Sequence, residues 1–180
     1  RQNMLNDVEV GHVSGHLSDH YDPTSKTVNL SDSNYASYSV ASLAVAAHEV
    51  GHALQHAHGY QPVTWRSRLV PVANIGSTAA FPLYFIGLLF GKGLGLFFMD
   101  LGIALFLFAL LFHIVTLPVE FNASKRALAI LEDSGMLAAD EIPGAKAVLR
   151  AAALTYVASA TMALMNLLRL IILRNAMSRD

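Results

Sequence analysis

The stretch "VAAHEVGHALQHAHG", Val45 to Gly59, sets His48, Glu49, His52, His56 and His58 into a run of small apolar residues that otherwise reads as a buried helix. On a helix, His48 and His52 project from one face about one turn apart, so both imidazoles can meet at one ion, and zinc suits that geometry. Glu49 is rotated about 100° around the axis from His48, which turns it toward a water on the ion rather than the ion itself. A metal acidifies such a water and polarises a carbonyl, and a carboxylate accepts the proton, so the pattern points to hydrolysis. A five-residue pattern with two free positions also arises by chance. Here the helix is independently expected, and an uncompensated His-Glu-His cluster would be costly to bury.

The rest of the chain is unusually apolar for 180 residues, with 54% hydrophobic against 14% charged residues. The excess lies in three stretches: Leu69–Gly91, Leu101–Val119, and Ala151–Leu168 before Arg169. Each approaches the roughly 20 apolar residues that span about 30 Å of hydrocarbon as a helix. Charges fall between the stretches rather than along one face of each, which separates this pattern from a soluble bundle. The expected fold class is therefore mainly α, a multi-span helical membrane protein with a zincin-like active-site helix and a small N-terminal β-hairpin. The first stretch carries Pro71, Asn74, Gly76, Ser77 and Pro82, so its first third is expected to break or lie in the interface. A net charge of −1 without a basic cluster excludes a nucleic-acid footprint. With no cysteine there is neither a disulfide nor a thiolate metal site. The chain starts at Arg1 without a signal-peptide pattern, so an upstream part is expected to be missing.

Read in order, a single integral-membrane domain is expected over 1–180. Residues 7–31 alternate loosely around the turn-rich "SDHYDPTS", giving a β-hairpin with a long loop within 1–38. Ser39 can cap an active-site helix over 39–59, with Gly59 as its stop and Pro62 beyond. Spans are expected at 69–91, 101–119 and 151–173, with Gly91–Asp100 as the connection between the first two. A helical return segment, 120–150, includes an amphipathic helix outside the membrane that ends at Gly135.

Catalytic zinc wants a third protein ligand and an open position. His56 is eight residues from His48, about 12 Å along a straight helix, too far to share an ion. His58 falls at the last position of the HExxHxxGxxH pattern, but Gln55 stands where that pattern has its glycine. A downstream carboxylate completes the other common arrangement. Two crossings separate His52 from Glu120 and return it to the same side, whereas Asp100 lies on the opposite one. Topology thus selects Glu120 over Asp100 and leaves Glu132, Asp133, Asp140 and Glu141 formally open.

Several separated blocks, "HYDP", "SVASLAVAAHEVGHALQHAHGY", "LVPVANIGS", "TLPVEFNASKRAL" and "VLRAAALTYVA", occur in an order that resembles the YugP-like neutral zinc metallopeptidases, bacterial membrane proteins. More distantly, the HExxH segment, two spans and a following Glu-x-x-Ala are similar to the membrane gluzincins related to CAAX prenyl proteases and the heat-shock membrane protease. The resemblance implies His48, His52 and Glu120 as zinc ligands, Glu49 as catalytic base, Zn2+ as cofactor and a further N-terminal span. Ser124 stands where the wider pattern has an aspartate that would orient a ligand histidine, so another residue must orient it or the site does without.

Other residues have two readings each. Asp19, His20 and Asp22 can line a substrate cleft, with Val28–Ser31 as a strand edge for an extended peptide, or can form an Asx-rich turn. His113 lies within the second stretch, where an ionisable residue is a functional suspect, though a neutral histidine bonded to a carbonyl is commoner. Tyr156 can supply an oxyanion donor or mark a membrane interface, and Arg150 is a similar candidate. The composite expectation is a zinc-dependent membrane endopeptidase acting on peptide or membrane-protein substrates, in contact with lipid bilayer and not nucleic acid. The alternative is a membrane metal-binding or assembly protein without turnover. Arg66, Arg68, Lys125, Arg126, Lys146 and Arg150 flank spans on the HEVGH side, against Lys92, Arg174 and Arg179. That bias puts the site on the cytoplasmic face of a bacterial inner (plasma) membrane.

Overall fold

The computed structural model describes residues 5–179. The chain divides into two compact units, one of Arg1–Val63 with Pro118–Thr155, the other of Thr64–Leu117 with Tyr156–Asp180.

The first unit opens with a three-stranded sheet of β1 (Glu9–Val13), β2 (His20–Asp22) and β3 (Thr27–Ser31), in the order β1-β3-β2. The sheet lies where alternation places it, but its pairing differs from a single long-looped hairpin. β1 runs parallel to β3, with Glu9 opposite Thr27 and Val13 opposite Ser31, and the antiparallel partner of β3 is β2. Alternation fixes which face of a strand is buried and leaves its partner open. The partner is decided by the turn chemistry. Asp22 accepts the Thr24 N–H and the Ser25 hydroxyl, each at 2.8 Å, and Lys26 takes a left-handed φ of 54°, so β2 reverses directly into β3. Asp19 then clasps the far end, accepting the Ser31 N–H at 2.8 Å, the Ser31 hydroxyl at 2.9 Å and the Asn34 amide at 2.9 Å. β3 is the central strand, with Val28 and Leu30 buried, and the edge expected at Val28–Ser31 belongs instead to β1 and β2.

After the short α1 (Asp32–Tyr35) comes α2 (Val40–Ala57). Ser39 caps it by accepting the Ser42 N–H at 3.1 Å. Gly59, at φ 62°, ends it with the two bonds of a Schellman motif: Tyr60 N–H to the Gln55 carbonyl and Gly59 N–H to that of His56.

The helices α3 (Gln61–Phe90), α4 (Leu94–Ser134) and α5 (Ile142–Arg179) have 30, 41 and 38 residues, and all three are long and apolar enough to cross a membrane. At about 1.5 Å per residue each is longer than the hydrocarbon thickness of about 30 Å. The anticipated helix after Glu120 is the continuation of α4, because Ala, Lys, Arg, Leu and Glu after Asn122 favour helix as well as the apolar run before it. α4 stops at Gly135, φ 66°. The connection between α3 and α4 is shorter than Gly91–Asp100. Gly91 and Gly93, at φ 67° and 80°, turn the chain, and helix resumes at Leu94. α3 also stays continuous through Pro71 and Pro82 rather than breaking, since in hydrocarbon an unbroken helix satisfies every other backbone group.

In the second unit, small residues let helix backbones touch. A Cβ on Gly76 would lie 2.5 Å from the Leu105 carbonyl oxygen, and one on Gly102 2.7 Å from that of Ala80. Tyr84 donates its hydroxyl to the Leu170 carbonyl at 2.9 Å, and Arg174 makes a bidentate pair with Asp100, both bonds at 2.7 Å. The opposite faces carry bare apolar side chains, Leu89 being 85% exposed, a surface suited to contact with lipid.

In the first unit the core joins Ala44 and Ala47 of α2, Ala127 and Leu131 of α4, and Ala145 and Leu149 of α5. The tightest approach is at Gly51, where an added Cβ would lie 2.5 Å from the Ala123 carbonyl oxygen and within 3.2 Å of two more backbone atoms. Backbone on both sides cannot yield, so Gly51→Ala must push α2 and α4 apart. We expect it to destabilise the detergent-purified protein by about 1–3 kcal/mol, read as a lower melting temperature. Gly144→Ala, whose new Cβ would meet only a Val40 methyl at 3.5 Å, should leave melting unchanged or raise it. Equal melting of the two variants would refute the contact.

Candidate metal centre

Two helices build the site. α2 carries His48, Glu49 and His52, and α4 carries Glu120. The contact at Gly51, between the two histidines in sequence, lets Glu120 reach both rings. His48 Nε2 lies 3.1 Å and His52 Nε2 3.6 Å from the same oxygen, Glu120 Oε2. The rings stand edge to face, centroids 4.7 Å apart. The candidate ligand atoms of all three residues lie within 4.8 Å of one another, and among the described residues no other such group of three occurs.

Donors about 2.1 Å from a tetrahedral zinc sit about 3.4 Å from each other, so the 3.1 and 3.6 Å separations suit one ion. The donor chemistry fits too. Both Nδ1 atoms face side-chain oxygens: His48 Nδ1 is 3.3 Å from Ser124 Oγ, and His52 Nδ1 is 3.0 Å from Gln55 Oε1. Each ring therefore turns Nε2 inward with its other nitrogen engaged, the usual arrangement of a ligating histidine. The local field also favours a cation. Burial works against an imidazolium at His52, yet the neighbouring Glu120 carboxylate, followed by the charge of Glu49, holds its pKa above the ordinary histidine value.

Glu49 is buried, 8% exposed, and stays outside the three-residue group. Burial raises its carboxyl pKa above the usual range, against the pull of His52 and His48.

The remaining candidates are scattered. Asp19 spends both oxygens on the sheet clasp described above. His20 is exposed, its ring between the Ser18 carbonyl and the Asn29 amide. His56 stacks at a tilt on Tyr21, and His58 Nδ1 accepts from Arg126 Nη1 at 2.9 Å. Arg150 lines a groove of about 280 Å³ with Phe121, Ser124, Lys125, Lys146 and Leu149. Tyr156 and His113 belong to the second unit, where His113 faces a cleft with Phe106, Ser159, Met162 and Asn166. Three residues beside the histidines escaped sequence reading: Gln55, Asn122 and Arg126. Gln55 was legible only as the residue that is not glycine, although a buried amide in an apolar helix must have partners.

Compared with known proteins, residues 1–175 match the family described as "Putative neutral zinc metallopeptidase". The chain is 47% identical over 171 residues to "Putative membrane protease YugP" of Bacillus subtilis (strain 168), an alignment that covers 95% of this chain and 75% of the relative. No solved structure matches. With nearly all its length matched, the chain belongs to this zinc metallopeptidase family, and the metal in the family's description finds a two-imidazole, one-carboxylate group that could bind it on α2 and α4.

Proposed function

We propose that the chain is a zinc-dependent membrane endopeptidase in which His48, His52 and Glu120 hold the ion and Glu49 moves the proton. The observation that carries this reading is the convergence of both Nε2 atoms on one buried oxygen of Glu120, with a second buried carboxylate, Glu49, left out of the group. A protein that only bound or stored metal would have no use for that extra carboxylate. Bound zinc supplies Lewis acidity, which activates water and polarises the scissile carbonyl. Glu49 accepts the proton as water oxygen bonds to the carbonyl carbon, then delivers it to the amide nitrogen as the C–N bond breaks. Substrates are peptides or membrane-protein segments, since the site belongs to a chain with three helices that can span a membrane.

Glu49→Gln is expected to lose at least about a hundredfold in cleavage of a fluorescence-quenched mixed peptide library while keeping one zinc per chain by elemental analysis. Glu120→Ala should lose the zinc, and His58→Ala, whose ring partners Arg126, should keep it. Undiminished turnover in Glu49→Gln defeats the mechanism, and the reverse zinc pattern defeats the ligand set.

The site faces the cytoplasm of the bacterial plasma membrane. Lysine and arginine near span ends are retained on that side, and six of them flank the HEVGH side. Because the chain has no cysteine, single introduced thiols report cleanly. Lys92→Cys should react with an impermeant thiol reagent on intact cells and Glu132→Cys only after permeabilisation. The opposite pattern would put the site outside.

A further inference from the structure

Gln55 is 0% exposed and follows His52 by one turn of α2. A buried primary amide needs most of its hydrogen-bonding capacity met, and this one is met on both ends. Gln55 Nε2 donates to the Val119 carbonyl at 2.7 Å and to Asn122 Oδ1 at 3.0 Å, using both of its hydrogens. Its oxygen is then the end that faces His52 Nδ1, 3.0 Å away. Each amide in this chain has two possible senses, and one residue removes the ambiguity. Arg126 Nε lies 2.8 Å from Asn122 Oδ1, and a guanidinium can only donate. Arg126 therefore fixes Asn122 as acceptor, Asn122 and the Val119 carbonyl fix Gln55 Nε2 as donor, and Gln55 Oε1 requires a hydrogen on His52 Nδ1.

We propose that Gln55 is a positioning residue for the metal site: it fixes the neutral His52 ring as the Nδ1–H tautomer, leaving the Nε2 lone pair for the ion, with Asn122 and Arg126 setting the polarity. This rests on the reading of His52 as a zinc ligand. Without the Gln55 oxygen the ring proton is free to move to Nε2, where Glu120 Oε2, 3.6 Å away, can accept it and the lone pair is lost to the metal. The two histidines are thereby unequal. His48 Nδ1 faces the Ser124 hydroxyl at 3.3 Å, and a hydroxyl can rotate to donate or accept, so it imposes no tautomer. His52 is the arm whose tautomer is set in advance.

The test uses the full chain in detergent and zinc alone, with dissociation constants from chelator competition. Gln55→Leu should weaken zinc about 10–100-fold. Gln55→Glu, which keeps an acceptor toward His52, should recover most of that loss, and Ser124→Ala should cost less than Gln55→Leu. Unchanged affinity in Gln55→Leu overturns the proposal, as does equal loss in the leucine and glutamate variants, which would indicate packing alone. A second measurement needs no variant at this position. In zinc-free protein labelled with 15N-histidine, at a pH where the rings are neutral, His52 should carry its proton on Nδ1, its resonances assigned by their loss in His52→Ala. A proton on Nε2 overturns the proposal even if the Gln55 variants fail to fold. If His52→Ala binds zinc as tightly as the native chain, it is the ligand reading that fails instead.

Discussion

Glu120 is enclosed to within 1% of full burial, and a carboxylate there is intolerable unless positive charge or strong donors stand against it. Most of the first unit can be understood as the means of meeting that condition. His48 and His52 bring two nitrogens to one of its oxygens. They can do so only if α4 comes within backbone contact of α2, which Gly51 permits and the alanines at 44, 47 and 127 continue along the interface. Ser39 and Gly59 hold the two ends of α2, so the spacing of the histidines along it is that of regular helix. The charge that makes Glu120 costly in an apolar setting is also what makes the group suited to a divalent cation.

The same logic explains what surrounds the two rings. The aspartate expected to orient a histidine is a serine here, and uncharged side chains stand beside both rings. Ser124 Oγ reaches His48, and a side-chain amide from α2 itself, Gln55, reaches His52. Neutral partners in place of a carboxylate keep another buried charge away from a site that already encloses Glu49 and Glu120.

How much of this could be read beforehand depends on the range of the interaction. The helical spacing of His48 and His52, the Ser39 cap and the Gly59 stop are local and were legible. The place of Glu120 beside the two histidines was reachable from the order of the hydrophobic runs, a reading that needs no contacts. The pairing of β1 with β3 was not legible, since alternation names a face and not a neighbour. That one helix joins the second apolar stretch to the segment after Glu120 was not legible for a related reason. Hydropathy marks where a stretch turns from apolar to polar, and α4 runs on as one helix through that change. The partners of Gln55 lie 64 and 67 residues away, so nothing near it in sequence could announce them.

The account stands on one coordination sphere, and zinc K-edge X-ray absorption on the purified, singly loaded protein observes it directly. It should give outer-shell scattering from two imidazoles, with nitrogen at about 2.0–2.1 Å and carboxylate oxygen at about 2.0–2.2 Å. Three or more imidazoles around the ion, or only one, would contradict the assignment of His48, His52 and Glu120.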